Sequence, residues 1–96
     1  MTEAQLTRVT IRTTISTMCP NGGMDLTEVA VSWRPVEHVH AEVVTAIVAQ
    51  FTGQTIWCEQ IACAVADAVR PIAESTVRVT ARQLQGHGVE AVAVAL

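Results

Sequence analysis

Alternating apolar and polar side chains mark two segments in the first third of the chain. From Gln5 to Ile15, β-branched residues occupy every second position on one face, and Arg8 and Arg12 lie on the other. The same alternation returns from Thr27 to Arg34, where Pro35 stops it. A period of two with β-branched residues is typical of β-strands. This part of the chain is therefore expected to form two strands.

The middle of the chain changes to a helical period. Between His40 and Phe51, apolar residues recur with the spacing of one stripe on a helix. That stripe consists of Val43, Val44, Ile47, Val48 and Phe51. A second helix is predicted from about Trp57 to Arg70, with a stripe of Ile61, Val65, Ala68 and Val69. Gly53 is expected to end the first helix and Pro71 the second, because proline disrupts a helix interior.

Alternation returns in the last quarter of the chain. Residues Thr76 to Gln83 again alternate apolar and polar positions, and Val89 to Leu96 form a final strand that is apolar on both faces. The glycines on either side of His87 predict a turn between them. The resulting order, β-β-α-α-β-β, predicts an α+β fold in which a four-stranded antiparallel sheet carries two helices on one face.

Composition narrows the class of protein. The 96 residues are 50% hydrophobic and 3% aromatic, so one domain spanning residues 1–96 with a core of Val, Ala and Ile is expected. The net charge is −3 and all six basic residues are arginine, which disfavours broad phosphate binding. The longest charge-free run, Val43 to Cys58, is too short and too polar for a membrane span. Three cysteines and no secretory signal predict a cytoplasmic protein.

The segment STMCPNGGMDL, from Ser16 to Leu26, holds more chemistry than a strand connection requires. A hairpin needs only a few turn residues. Cys19 is either a small half-buried thiol beside the turn or a nucleophile on an exposed loop. Asp25 either closes the turn or acts as a proton donor that faces the thiol. The residues alone leave both alternatives open.

The start of the second helix is another candidate site. Glu59 could simply favour the helix N-terminus, or its carboxylate could accept paired N–H donors from a guanine-like base. Trp57 could pack in the core or stack on a flat ring. Cys58 and Gln60 belong to the same cluster, whereas Cys63 is expected to pack inside the helix.

The histidines suggest a possible metal site. His38 and His40 stand two residues apart, and together with Cys19 or Cys58 they could hold zinc. The pair falls where no helix or strand is clearly predicted. His87 is expected to be a turn residue without a chemical role.

Taken together, these motifs resemble the 7-cyano-7-deazaguanine (preQ0) nitrile reductase family of the tunnelling-fold (T-fold) superfamily. In that family a Cys-Pro, a glycine-containing turn and an Asp join the first two strands. Here the corresponding segment runs from Cys19 to Leu26, one residue shorter than in the reductases. Phe51 and Glu59 keep the family spacing between the aromatic end of a helix and a glutamate. The resemblance spans nearly the whole chain and implies a tunnelling fold.

The resemblance also implies roles for particular residues. Cys19 would attack the nitrile carbon of the deazaguanine base and form a covalent thioimide. Asp25 would deliver a proton to the nitrile nitrogen. Glu59 would hold the pyrimidine edge of the base, and its neighbours within residues 57–60 would complete the substrate-binding cluster. No metal site is implied.

Two departures point away from the reducing members of that family. The histidine before the family's glutamate is Cys58 here. The lysines that serve NADPH fall on Glu42 and Thr45, and the chain contains no lysine. The chain therefore looks closer to the compact, non-reducing amidinotransferase-like relatives, in which an amine attacks the thioimide to give an amidine. No cofactor is expected, ammonia or glutamine is the expected amine donor, and NADPH-dependent reduction is the alternative.

The resemblance leaves the state of the substrate open. The nitrile base could be free or carried on tRNA or DNA. T-fold subunits join their sheets edge to edge into a barrel, so a homo-oligomer with sites between subunits is expected. Two further functions stay open, namely a zinc-dependent pterin-type T-fold enzyme and a non-catalytic purine-binding protein.

Overall fold

A computed structural model describes residues 3–34 and 41–96 of the chain. Four strands and two helices follow one another in the order predicted from the sequence. Their bounds are β1 (Val9–Met18), β2 (Met24–Trp33), α1 (Ala41–Ala49), α2 (Cys58–Ala73), β3 (Val77–Gln83) and β4 (Glu90–Ala95). The predicted α+β architecture is confirmed.

The strands form one antiparallel sheet in the order β1-β2-β3-β4. Both helices lie on the same face of it, α1 against β1 and α2 across the other three strands. The face that they cover is the core face, and the opposite one is called the open face below. Because successive side chains of a strand point to opposite faces, the pairing register decides which residues reach the core.

The first hairpin is longer than the alternation predicted. Its pairing runs from Val9 opposite Trp33 to Met18 opposite Met24. The first strand begins at Val9 rather than Gln5, because the residues before Val9 have no partner in this pairing. Towards the turn, both strands continue beyond the predicted ends, and the connection shrinks to residues 19–23.

The second helix differs from its prediction at the C-terminal end. Pro71 lies inside α2, which continues to Ala73 and ends where Glu74 takes a left-handed conformation with φ 53°. The prediction that Pro71 closes the helix was wrong. Pro71 is exposed and stands in the last turn, where only one intrahelical N–H is lost, and the buried Val69 and Ala73 keep that turn packed on the sheet.

Burial along the helices follows the predicted stripes with three exceptions. Val43, Ala68 and Cys63 were expected to be packed but are exposed. Each lies beside the buried stripe rather than on it, because the sheet covers a narrower arc of each helix than the sequence pattern allowed. Ala62 and Ala66 take the buried places on α2.

The core is built mainly from small and β-branched residues. The fully buried members include Val29 and Val31 of β2, Val79 of β3 and Ile61 of α2, with Trp33 as the largest side chain. These side chains come from both sheet and helix, so the sheet and α2 are mutually dependent for their burial. Among the described helices, none is long and apolar enough to cross a membrane.

Two isoleucines of α2 test this packing. Ile61 is completely buried, and replacing it with alanine should cost about 2–5 kcal/mol of unfolding free energy because a cavity remains. Ile72 on the same helix is 42% exposed, so Ile72→Ala should change stability by only about 0.5 kcal/mol. Urea unfolding followed by far-UV circular dichroism measures both variants. Equal losses for the two variants would contradict the described packing of α2.

Candidate active site

The loop between β1 and β2 presents Cys19 at its start. The Cys19 N–H donates to the Gly23 carbonyl at 2.9 Å, and the Cys19 carbonyl accepts from the Gly22 N–H at 2.8 Å. Gly22 and Gly23 have φ values of 102° and 90°, which residues with a side chain rarely adopt. Pro20 follows Cys19 at the position where a fixed φ favours a turn. The loop is thus closed by its own backbone, and the Cys19 side chain is half-buried beside it.

Asp25 belongs to β2 and not to the turn. It pairs with Thr17 and lies on the core face of the sheet, where the apolar residues of the same strand lie further along. Its carboxylate accepts a hydrogen bond from the side-chain amide of Gln83 at 3.3 Å. Its interpretation as a turn-closing residue is therefore wrong. Asp25 instead provides a half-buried carboxylate at the end of the core.

The segment before α2 is attached to the end of β1. The Met18 N–H donates to the Gln54 carbonyl at 2.8 Å, and the Met18 carbonyl accepts from the Ile56 N–H at 3.0 Å. Met18 and Thr55 form a parallel bridge. Because Met18 directly precedes Cys19, these bonds hold the start of α2 beside the loop that carries the cysteine.

The first turn of α2 uses part of the predicted substrate cluster for its own structure. The Gln60 side-chain oxygen accepts a hydrogen bond from the Trp57 N–H at 2.9 Å, as in one half of a capping box. The indole of Trp57 makes no capping bond, and the residue is 39% exposed. Trp57 is therefore only partly packed against the protein, and its exposed part is available to a ligand.

Cys58 is buried and hydrogen-bonded. Its Sγ donates to the Ala81 carbonyl at 3.0 Å, and only 6% of the residue is exposed. Burial raises the pKa of the Cys58 thiol above its ordinary value of 9.0, and the negative charges of Glu59 and Asp25 raise it further against the effect of backbone hydrogen bonds. The thiol is a neutral structural donor at physiological pH, which argues against its predicted contact with substrate.

Glu59 is exposed at the start of the helix, next to the buried Cys58. Asp25, Glu59 and Cys58 are near enough for both carboxylates to act on the thiol. The residues that the sequence singled out at two distant points, 19–25 and 57–60, therefore meet at one end of the sheet. Within the described chain, the Cys19 thiol makes no side-chain hydrogen bond, to Asp25 or otherwise, so that contact stays a prediction.

The predicted zinc site receives no support from the residues at this end of the sheet. Residues 3–34 and 41–96 contain no group of three His, Cys, Asp or Glu side chains that could hold a metal ion. His38 and His40 lie outside the described residues. His87 is exposed between Gly86 and Gly88, which both have positive φ, as expected of a turn.

A concave region of about 380 Å³ lies on the open face, away from the cysteine loop. Its lining includes Arg12, Arg82 and Glu28, and Arg82 forms an ion pair with Glu28 at 3.4 Å. Arg12 and Arg82, from different strands, thus share the open face. None of the predicted site residues lines the region.

Sequence reasoning missed three polar residues on the core face. Thr17 and Thr27 are each only 1% exposed, and Gln83 is half-buried. All three occupy positions where the alternation calls for an apolar residue. A polar residue in an apolar phase, close to a candidate nucleophile in the paired strand, is the signal that could have identified them.

The raised pKa of Cys58 predicts a loss of stability in alkali. In the folded protein, the Cys58 thiol stays protonated at pH values at which the unfolded chain has released the proton. The resulting contribution to stability is complete below the pKa of the thiol in the unfolded chain. It is lost as the pH rises through the pKa of the thiol in the folded protein. The slope of stability against pH should become negative above about pH 9, and about −1.4 kcal/mol per pH unit is its limit for one thiol. The chain has no lysine and no tyrosine, so few other groups titrate there.

Urea unfolding of wild type, Cys58→Ala and Cys63→Ala at a series of alkaline pH values checks this prediction. Cys63 is exposed, and its removal should leave the slope unchanged. Cys58→Ala should flatten the slope whatever it does to stability at neutral pH. An unchanged slope in Cys58→Ala would show that another group is responsible.

Comparison with known proteins agrees with this geometry. No protein-family model matches the sequence, and no curated protein matches it significantly. The crystal structure of a QueF-like archaeosine synthase, determined in the apo form, is similar with a TM-score of 0.84 and 26% sequence identity, and the match covers 96% of each chain. The resemblance to the 7-cyano-7-deazaguanine nitrile reductase family is therefore confirmed, and the chain has the fold of its QueF-like relatives over nearly its whole length.

Proposed function

We propose that the chain is a 7-deazaguanine-modifying enzyme that converts the nitrile of 7-cyano-7-deazaguanine into an amidine through a thioimide on Cys19. One observation carries this proposal. The backbone bonds of Met18 bring the Cys19 loop and the start of α2, with its exposed Glu59, to one end of the sheet. The similarity to an archaeosine synthase supports the same chemistry.

The proposed reaction requires neither an oxidant nor a reductant. The Cys19 thiolate adds to the nitrile carbon, and Asp25 gives a proton to the nitrile nitrogen, so that a neutral thioimide forms. Ammonia then adds to the thioimide carbon. Collapse of that adduct expels the Cys19 thiolate, and a proton moves from the ammonium group back to the carboxylate. The net reaction joins one nitrile and one ammonia into one amidine.

The half-buried state of Cys19 suits a nucleophile of this kind. A nucleophilic thiol needs access to its substrate, which the fully buried Cys58 lacks. Cys63 is exposed but lies on α2 away from the buried stripe, without a carboxylate provided by the sheet. Among the three cysteines, Cys19 alone combines access with proximity to a half-buried carboxylate on the adjoining strand.

Glu59 and Trp57 are the proposed contacts for the base. An exposed carboxylate can accept two N–H groups from the pyrimidine edge of a deazaguanine, and the exposed indole can stack on its ring. Gln60 supports this cluster through its bond to the Trp57 N–H. Cys58, at the position of the reductases' histidine, attaches the start of α2 to the sheet through its bond to the Ala81 carbonyl.

Amidine formation is preferred over reduction because of the chain's charges. Reduction would require a site for the phosphates of NADPH, and a lysine-free α1 offers no cation for it. Ammonia or glutamine would supply the amine. The nitrile base is either free or part of tRNA or DNA. The acidic composition of the chain disfavours a nucleic acid, whereas the arginines of the open face favour one.

The proposed enzyme is a homo-oligomer. β1 and β4 are the two edges of the sheet, and unpaired edges favour strand pairing with another chain. On β4, Val92 and Val94 are 46% and 53% exposed. Pairing of β4 with β1 of a second copy would close the edges into a barrel and cover these valines.

Covalent capture tests the proposed nucleophile. Wild type, Cys19→Ala and Cys63→Ala are incubated with 7-cyano-7-deazaguanine without any cofactor, and intact-protein mass is measured. Wild type and Cys63→Ala should gain the mass of one nitrile base, and Cys19→Ala should gain none. The Cys63 variant controls for adventitious labelling of an exposed thiol. An adduct on Cys19→Ala, or on no protein, would remove Cys19 from the mechanism.

The captured protein then distinguishes the second step. Ammonia, glutamine or NADPH is added separately, and clearance of the adduct is followed together with the released base. Clearance by ammonia with an amidine product supports the proposal. Clearance by NADPH alone would establish reduction. Reversible purine binding without capture would favour the binding-protein alternative, and metal analysis of the same sample would test the zinc enzyme.

Sedimentation velocity tests the oligomer. Wild type should sediment as an oligomer at micromolar concentration, and Val94→Asp should dissociate it because a charge would be buried at the closed edge. Val43 is 44% exposed and belongs to α1 rather than to either edge strand, so Val43→Asp is the control. A monomeric wild type would contradict the closed barrel.

A further inference from the structure

The carboxylate of Asp25 has a side-chain partner that the proposed chemistry has not used. Gln83 Nε2 donates to Asp25 Oδ2 at 3.3 Å, and both residues are half-buried. The two residues come from neighbouring strands of the sheet. Among the residues that the structure describes, this is the side-chain hydrogen bond that holds the Asp25 carboxylate.

The register explains how the two side chains meet. Gln83 stands opposite Thr27 across the β2–β3 pair, and Asp25 is two residues before Thr27 on the same face. Such diagonal positions are about 7–8 Å apart, within reach of long side chains only. Glutamine spans the gap, and asparagine, which is one methylene shorter, would fall short of it.

The surroundings leave Asp25 few other ways to be oriented. Thr17 faces it from β1, and Cys58 approaches it from α2 with its Sγ committed to the Ala81 carbonyl. The other charged group near this cluster is Glu59, whose carboxylate has no hydrogen to donate when ionised. Gln83 is therefore a neutral donor with an observed bond to the carboxyl group, and that bond can fix the plane of the group.

We propose that Gln83 is a positioning residue that holds Oδ2 of Asp25 so that Oδ1 carries the proton delivered to the nitrile nitrogen. An amide N–H bonded to one carboxyl oxygen disfavours protonation at that oxygen, because the lone pair is occupied. The proton then resides on the other oxygen, in a fixed orientation. This inference rests on the proposed function and concerns its protonation step.

Loss of the amide should slow capture without weakening binding. A positioned acid contributes about 10²–10⁴-fold to a rate, and loosening it forfeits part of that factor. Gln83→Met keeps the size of the side chain and removes the donor, so the limiting rate of adduct formation should fall roughly tenfold or more. The concentration of nitrile base that gives half the limiting rate should stay the same, since the proposed contacts for the base are Glu59 and Trp57.

The division between rate and affinity separates positioning from damage to the fold. Misfolding alone would lower the final amount of adduct and leave the limiting rate of the folded fraction unchanged.

Three variants make the experiment decisive. The rate of adduct formation with 7-cyano-7-deazaguanine is measured by intact mass for wild type, Gln83→Met, Gln83→Asn and Gln85→Met. Gln85 is an exposed glutamine just beyond the strand, so Gln85→Met should behave as wild type. Gln83→Asn keeps an amide but cannot span the diagonal, and it should show the same slow limiting rate as Gln83→Met.

The possible failures are distinguishable. Wild-type limiting rates in both Gln83 variants, with normal adduct in wild type, would overturn the positioning role and leave the proposed function intact. A wild-type rate in Gln83→Asn alone would show that an amide too short to reach Asp25 is sufficient, so the bond to Asp25 would not be what sets the rate, and it would overturn the positioning role too. No adduct on wild type would overturn the proposed function itself.

Discussion

The register of the β1–β2 hairpin is the constraint on which the rest of the site depends. A shift of one residue would move every side chain of a strand to the opposite face. Pairing of Met18 with Met24 confines the connection to residues 19–23 and leaves Asp25 on the core face. The buried valines of β2 fix this register, because only one phase places Val29 and Val31 in the core. The hydrophobic core thereby determines where the carboxylate lies relative to the cysteine.

A second constraint ties the helical layer to this hairpin. The backbone of Met18 uses both its N–H and its carbonyl to bind the segment before α2, and Gly53 donates to the Ser16 carbonyl in the same region. These bonds satisfy polar groups on the outer edge of β1 that would otherwise need water. The same bonds place the first turn of α2 against the end of the sheet. The hydrogen bonds that satisfy the outer edge of β1 are thus the same bonds that assemble the candidate site.

The sequence predicted the element order and most of the core, because both follow from local periodicity. It could not predict that α2 passes through Pro71, since the packing of Ala73 on the sheet decides this and the pattern contains no such contact. Likewise, Cys58 was predicted to belong to the substrate-binding cluster, and its bond to the Ala81 carbonyl depends on a residue distant in sequence. Cys19 and Asp25 were identified by their motif, whereas Gln83 depended on the β2–β3 register.

Polar residues are clustered at this end of the core face. Thr17 and Thr27 are almost completely buried on a face that is otherwise mainly apolar, and Asp25 adds a half-buried carboxyl group. Apolar residues at these positions would extend the core at no desolvation cost. A carboxylate held at such a place, with a neutral amide as its donor and a buried thiol beside it, is surrounded by groups that do not neutralise it. In the mechanism that we propose, this is the group that exchanges a proton with the substrate.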